Sequence, residues 1–341
     1  MVHLSHAVTD GVGGVEMFAN LYDFEREPPP QPVPPMPVPT DLSPNDLMRS
    51  GLNRLPGTIV GGWSGGRRCR AGRGPRRSRP GRAARQRLRL REVRCGAVGP
   101  VADPSPILRR RSLSSRSEAI DIEFSDLHRA SKAAEGSIND AYLAGLCGAL
   151  RLYHESMGVP VDTLPMAVPV NLRSDADPAG ATASWGSTSP HPSDCRTPRC
   201  IKEIRAQMRS KRDERALDVV GAIAPLVSLL PDSVLETMAG SIVNSDVQAS
   251  NVPVYAGDTF IAGAKVLRQY GLGPLPGVAM MVVLISRSGY CTISTRYDRA
   301  SITDPGLLAQ CLLDGFDEVL ALGGDGRAVP ATFSRVGAQE K

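Results

Sequence analysis

The chain has 341 residues, room for one large domain or two modest ones, and its 41% hydrophobic and 22% charged content excludes full-length disorder, collagen and a coiled coil. The net charge of +5 is local, because residues 67–94 carry 13 arginines against one acid and leave the rest of the chain net acidic. The longest apolar run, Val278 to Ile285, is far short of the ~20 residues a membrane-spanning helix needs. No basic-then-apolar leader opens the sequence, so the expectation is a cytoplasmic protein, peripheral at most on the inner membrane face.

Val2, Leu4 and His6 alternate with His3 and Ser5 as a short strand, a turn follows at Thr9-Asp10-Gly11, and Val15, Phe18, Leu21 and Tyr22 then recur at helical spacing. Residues 27–60 open with a proline-rich run that suits a stiff interdomain linker. Residues 61–100 keep neither a strand nor a helix period. Their arginines sit among Gly, Pro and Ser, which reads as a disordered insertion, as out-of-frame translation of GC-rich DNA, or as a phosphate-neutralising arm. Trp63 is the only aromatic there, which argues against nucleic acid as a partner. Ala181 to Cys200 is a smaller irregular stretch of the same kind.

From 101 to 335 periodicity returns as a second domain. A strand is predicted over Ala119–Phe124, then a helix capped by Ser125. Ser137-Ile-Asn-Asp140 has the form of a capping box for a helix running to Met157. Met166 to Val170 reads as a buried strand ending at Asn171-Leu-Arg173, and Ile201 to Asn244 as helix broken at Pro231. Val278–Ile285 and Tyr290–Tyr297 flank Ser286-Arg-Ser-Gly289 as a hairpin, and Pro305 to Leu322 forms a last helix. Strands alternating with helices predict an α/β sandwich with a mixed sheet. The seven cysteines show no CxxC pair, which predicts reduced thiols and no zinc site.

Of the five histidines, His128 and His154 fall on predicted helices as partly exposed structural residues, and His191 lies in the irregular stretch. His6 sits where a strand runs into a loop. A neutral imidazole there could take a proton from a hydroxyl or thiol near neutral pH, although a bland structural histidine fits the spacing equally well. Asp10, four residues on, suits backbone hydrogen bonds or a pairing with an arginine.

Ser5-His-Ala-Val-Thr-Asp-Gly11 resembles the HHxxxDG motif of the CoA-dependent acyltransferase superfamily, and Gly13-Gly-Val-Glu-Met-Phe18 resembles its wax ester synthase/diacylglycerol acyltransferase branch. Four further segments are similar to that family in the same order: Ser137 to Gly145, Pro169-Val-Asn-Leu-Arg173, Ala249-Ser-Asn-Val-Pro253 and Gly271-Leu-Gly-Pro-Leu-Pro-Gly277.

The resemblance implies a chloramphenicol acetyltransferase-like sandwich of two subdomains that transfers an acyl group from acyl-CoA to diacylglycerol or a long-chain alcohol, with no metal and no bound cofactor. It implies that His6 is the general base, that Asp10 beside Gly11 is structural and pairs with Arg173, and that Asn139 and Asp140 stand at a helix N-terminus where they orient the loop or help an oxyanion. Ser250 and Asn251 are implied as a turn lining the cleft. Ser5 replaces the first histidine of the motif. Several strands and helices precede the motif in the family, so residues 1–26 are expected to be the remnant of an incomplete N-terminal subdomain. The competing expectations are an inactive remnant of the family and a basic-arm protein bound to nucleic acid or anionic lipid. Contact with a membrane or lipid-droplet surface is expected alongside the catalytic reading.

Overall fold

The computed structural model describes residues 14, 17–29, 43, 46, 104–171, 184–192, 198–213, 245–255, 257–275 and 277–331. The chain divides into two compact units, residues 1–28 with 100–215 and 233–341, and residues 29–99 with 216–232. Every element below belongs to the first. The second contributes only Pro29, Ser43 and Asp46 to the described residues, and there the Ser43 hydroxyl donates to the Asp46 carboxylate at 2.7 Å.

The strands are β1 (Ser115–Glu123), β2 (Thr163–Asn171), β3 (Ser184–Pro192), β4 (Val247–Val252), the short pair β5 (Phe260–Ile261) and β6 (Ala264–Lys265), β7 (Met280–Arg287), β8 (Tyr290–Asp298) and β9 (Val329–Pro330). The helices are α1 (Phe124–Ala133), α2 (Ile138–Ser156), α3 (Pro198–Asp213) and α4 (Pro305–Leu320). Seven strands form one mixed sheet in the order β3-β2-β4-β7-β8-β1-β9, with β2, β4 and β7 parallel and the other pairings antiparallel. The mixed α/β sandwich read from the sequence is therefore the observed architecture.

Alternation along β7 assigns the two faces of the sheet. Met280, Val282 and Leu284 point into the main core, where they meet Leu143, Leu146 and Leu150 of α2 and Leu312 and Phe316 of α4. Met281, Val283 and Ile285 point the other way and pack with Val252, Val254 and Leu275. The predicted hairpin closes on Ser288 and Gly289, both at positive φ (48° and 79°), the backbone a two-residue turn requires between twisted strands.

Helix α2 is buried on nearly all sides. Gly145 lets the Phe316 ring lie against it, since an added Cβ would stand 2.5 Å from that ring. Gly315 brings α4 against the α2 backbone, where a Cβ would stand 2.3 Å from the Ala149 nitrogen. At the far end of α2, His154 is wholly buried, not partly exposed as expected. Its Nδ1 lies 2.7 Å from the Leu150 carbonyl, which can only accept, so Nδ1 carries the proton. Nε2 then accepts from the Ser105 hydroxyl at 2.7 Å, and the Ser105 N–H donates to the Asp246 carboxylate at 2.6 Å.

Four other expectations are corrected. Helix α1 starts at Phe124 after Glu123, with no side-chain cap from Ser125, because the Phe124 N–H donates to the Gly289 carbonyl at 2.9 Å and the hairpin turn does the work of a cap. The irregular stretch 181–200 contains β3, paired along its length with β2, and the first turn of α3. Backbone pairing at a sheet edge needs no apolar alternation and tolerates Pro190 and Pro192. Cys200 is disulfide-bonded, against the expectation of reduced thiols, whereas Cys147, Cys291 and Cys311 are free and buried. Helix α3 begins earlier than predicted, at Pro198. It is described to Asp213, and residues 214–244 lie outside the described residues. So do most of the 27–60 linker and all of 61–100.

Two predictions follow from this core. Gly315→Ala overpacks the crossing of α2 and α4 and should lower unfolding free energy by about 1–3 kcal/mol, read from the urea midpoint. Burial holds the His154 imidazole below its ordinary value of 6.5, and the bond to Leu150 only partly opposes this. As pH falls through about 6.5 the unfolded chain takes up a proton that the folded chain resists, so the thermal midpoint should drop between about pH 6.5 and 5. His154→Gln should flatten that drop.

Candidate functional site

Parallel strands β2, β4 and β7 send their C-terminal ends to one edge of the sheet, and α2, which runs against them, brings its N-terminus to that edge. The Tyr142 hydroxyl fixes the arrangement. It donates to the Val282 carbonyl of β7 at 3.0 Å and sits against the Ser250 backbone of β4, so one buried phenol joins the helix to two strands. Burial pushes that phenol far above its ordinary value, opposed only by the Ser250 backbone, and Tyr142 remains a hydrogen-bond donor at every working pH.

Asn139 and Asp140 occupy the first turn of α2. The Asp140 carboxylate accepts from the Ser137 N–H at 2.8 Å and from the Ser137 hydroxyl at 2.7 Å, and the Asp140 N–H donates back at 3.3 Å. This is the capping box read from the sequence, and it makes Asp140 a 4% exposed residue that holds the helix end. Asn139 is half-buried beside it, and its side chain forms no hydrogen bond among the described residues. Ser250 and Asn251 are not in a turn. They lie in β4, opposite Val283 and Leu284 of β7, with Ser250 half-buried and Asn251 exposed at the strand's C-terminal half. Asn171 ends β2 two residues before Arg173. The structure thus gathers Asn139, Asp140, Ser250 and Asn251 at one edge. His6, Asp10, Gly11 and Arg173 lie outside the described residues.

The Gly271-to-Gly277 segment covers the second face of the sheet. A Cβ on Gly271 would stand 2.9 Å from Val283, and one on Gly273 would stand 2.9 Å from Met281, so only glycine lets this backbone lie flat on β7. Residues just before it pin it down. Tyr270 donates to both oxygens of buried Asp121 at 3.0 and 2.9 Å, the Arg268 guanidinium stacks 3.3 Å from the Tyr290 ring centroid, and Thr292 donates to the Gln269 carbonyl at 2.6 Å.

Sequence reasoning missed what the loop before this segment holds. Residues 17–28, which follow the histidine motif in the chain, are sewn to that loop: Asp23 and Phe260 exchange backbone hydrogen bonds at 2.9 and 2.8 Å, and Phe24 meets Tyr255 edge-on at 5.1 Å. Arg287, 3% exposed at the end of β7, donates to Thr259 and Gln269 and stands 5.5 Å from the Tyr22 ring. The helical spacing of Phe18, Leu21 and Tyr22 could have signalled a docked segment, but nothing in the sequence names its partner.

Among the described residues no buried thiol is set up as a nucleophile: burial pushes Cys147 up to about 12, and burial with Asp314 and Asp304 pushes Cys311 up to about 11. Among the described residues no three metal-ligating side chains converge.

The chain is similar to known proteins along most of its length. The model of the wax ester synthase/diacylglycerol acyltransferase catalytic domain matches residues 1–142, so it takes in Asn139 and Asp140, and the model of the C-terminal domain of the same family matches 196–319. A Mycobacterium tuberculosis (strain H37Rv) protein that carries the provisional name diacylglycerol O-acyltransferase is 58% identical over 347 residues, covering 99% of this chain and 70% of the relative. A second protein of that strain, similarly named, is 27% identical over 354 residues, covering 94% and 63%. The solved wax ester synthase/diacylglycerol acyltransferase of Marinobacter aquaeolei VT8 shares the fold, with a TM-score of 0.57 at 16% identity over 94% of this chain and 67% of its own.

The cap is testable by itself. Ser137→Ala and Asp140→Ala should each cost about 1 kcal/mol of stability, and the double variant little more than either, because both halves of one reciprocal box are lost together. Additive losses in a thermal or urea series would contradict that reading.

Proposed function

Because the chain belongs to the wax ester synthase/diacylglycerol acyltransferase family, we propose that it transfers a fatty acyl group from acyl-CoA to the hydroxyl of diacylglycerol or of a long-chain alcohol. The observation that carries the proposal is the 58% identity, over nearly the whole chain, to the mycobacterial relative named for this reaction. The His6-to-Gly11 motif supports it independently.

In the proposed reaction His6 takes the proton of the acceptor hydroxyl as its oxygen attacks the thioester carbonyl. The tetrahedral oxyanion collapses, the C–S bond breaks, the CoA thiolate leaves and collects the proton from His6, and the ester is released. In the same proposal Asp10 serves as a positioning residue for the histidine loop, with Arg173 as its partner. The free N–H groups and Asn139 at the start of α2 lie at the edge where the parallel strands finish, and they are the donors available for the oxyanion. The acceptor is an apolar lipid, so the reaction belongs at a lipid surface. Among the described residues no helix is long and apolar enough to cross a membrane.

His6→Ala should lower ester formation from acyl-CoA and diacylglycerol by roughly 10²–10⁴-fold while leaving the circular dichroism spectrum and thermal midpoint unchanged. Unaltered turnover in that variant would refute the assignment of the base.

A further inference from the structure

Helix α3 carries its apolar residues inward and its cations outward. Ile201 and Ile204 are fully buried, whereas Lys202 and Arg209 are exposed and Arg205 is half-exposed on the turn-to-turn spacing of one helix face. That face does not look into open solvent alone. It walls a shallow groove of about 300 Å³ whose opposite side is Glu135, in the turn between α1 and α2.

The turn and the helix pack in direct contact. Gly136 lies so close to α3 that an added Cβ would stand 2.5 Å from Ile201, and Arg205 donates to the Glu135 carbonyl. One carboxylate faces three cations. Glu135 takes Lys202 at 3.0 Å, and Arg209 has no hydrogen bond or ion pair among the described residues. The groove therefore keeps an excess of positive charge in a fixed concave place. Glu135 is two residues from Ser137, the N-cap of α2, so the groove adjoins the edge where Asn139 and Asp140 stand.

We infer that this groove, formed by Lys202, Arg205 and Arg209 of α3 against the α1–α2 turn, binds the phosphate-bearing nucleotide end of the acyl-CoA donor. The inference rests on the proposed acyl transfer and names the residues that anchor its donor. The chemistry is that of a phosphate monoester or pyrophosphate: guanidinium and ammonium groups give charge-assisted hydrogen bonds to such oxygens, and a groove open on one side admits the nucleotide while the pantetheine arm runs toward the α2 N-terminus. Lys202 has its own carboxylate to leave, which costs little at an exposed pair.

The test is equilibrium binding of CoA and of pantetheine, which lacks the nucleotide and every phosphate, to the full chain. The variants are Lys202→Gln/Arg209→Gln and, as a control on the same helix, Arg199→Gln, whose partner is Glu203. All three positions are exposed, so circular dichroism should match the parent. The double variant should weaken CoA about tenfold, through the loss of two charged contacts, and leave pantetheine unchanged. Arg199→Gln should leave both unchanged, and the parent's affinity for CoA should fall with salt. Equal CoA affinity in parent and double variant would overturn the inference, as would equal loss of both ligands. It would also be overturned if the double variant lost binding to phosphatidylglycerol vesicles while CoA binding stayed intact, since the groove would then serve a lipid headgroup. Binding needs no turnover. A chain that binds CoA through these residues but makes no ester would sink the proposed reaction and spare the groove, and an active chain with indifferent Lys202 and Arg209 would do the reverse.

Discussion

The structure depends on how α2 is held. It packs against both the sheet and α4 with almost no exposed surface, so its position cannot drift without opening the core. Each end is fastened by a polar device: the Ser137–Asp140 box at the N-terminus, and the His154–Ser105–Asp246 chain at the C-terminus. Between them, Tyr142 ties the helix to β4 and β7. Apolar burial supplies most of the stabilising free energy, and these directional bonds choose the register in which it is obtained. The chemically interesting edge follows from that register, because the helix N-terminus and three strand ends share it.

The second face of the sheet matters for a different reason. Met281, Val283 and Ile285 would be exposed apolar surface without the Gly271–Gly277 segment lying on them. The preceding loop, 255–270, holds residues 17–28 through backbone pairing, ring contact and the buried Arg287 beside Tyr22. A single polypeptide stretch therefore covers β7 and anchors the segment that follows the histidine motif. Removal of either glycine would lift that stretch and disturb both tasks together, which gives a physical reason for a glycine- and proline-rich sequence there.

Much of this was legible from residue order. The capping box at Ser137, the apolar spacing of α2 and α4 and the hairpin around Ser288-Gly289 are local signals, and local signals survive translation into structure. What the sequence did not show was non-local. Strand β3 exists because β2 offers it a backbone ladder, not because its own side chains alternate. Phe124 needs no side-chain cap because a hairpin distant in sequence supplies a carbonyl. His154 is buried because Ser105, far along the chain, satisfies its second nitrogen. The resemblance implied a turn at Ser250 and Asn251, yet the pairing with β7 keeps them extended. At the candidate site, Asp140 and Asn139 were found by motif, whereas Tyr142, Tyr270 and Arg287 carry no motif and emerge only from what they touch.

In the proposed reaction an acyl thioester and an acceptor hydroxyl meet at one edge of the sheet and are joined there. The most direct measurement follows free CoA thiol released by the full chain from a long-chain acyl-CoA, with and without diacylglycerol or a long-chain alcohol present. Acyl transfer to a hydroxyl should give thiol release that requires an acceptor and is matched mole for mole by new ester. Absence of release, or release independent of the acceptor with no ester formed, would contradict it.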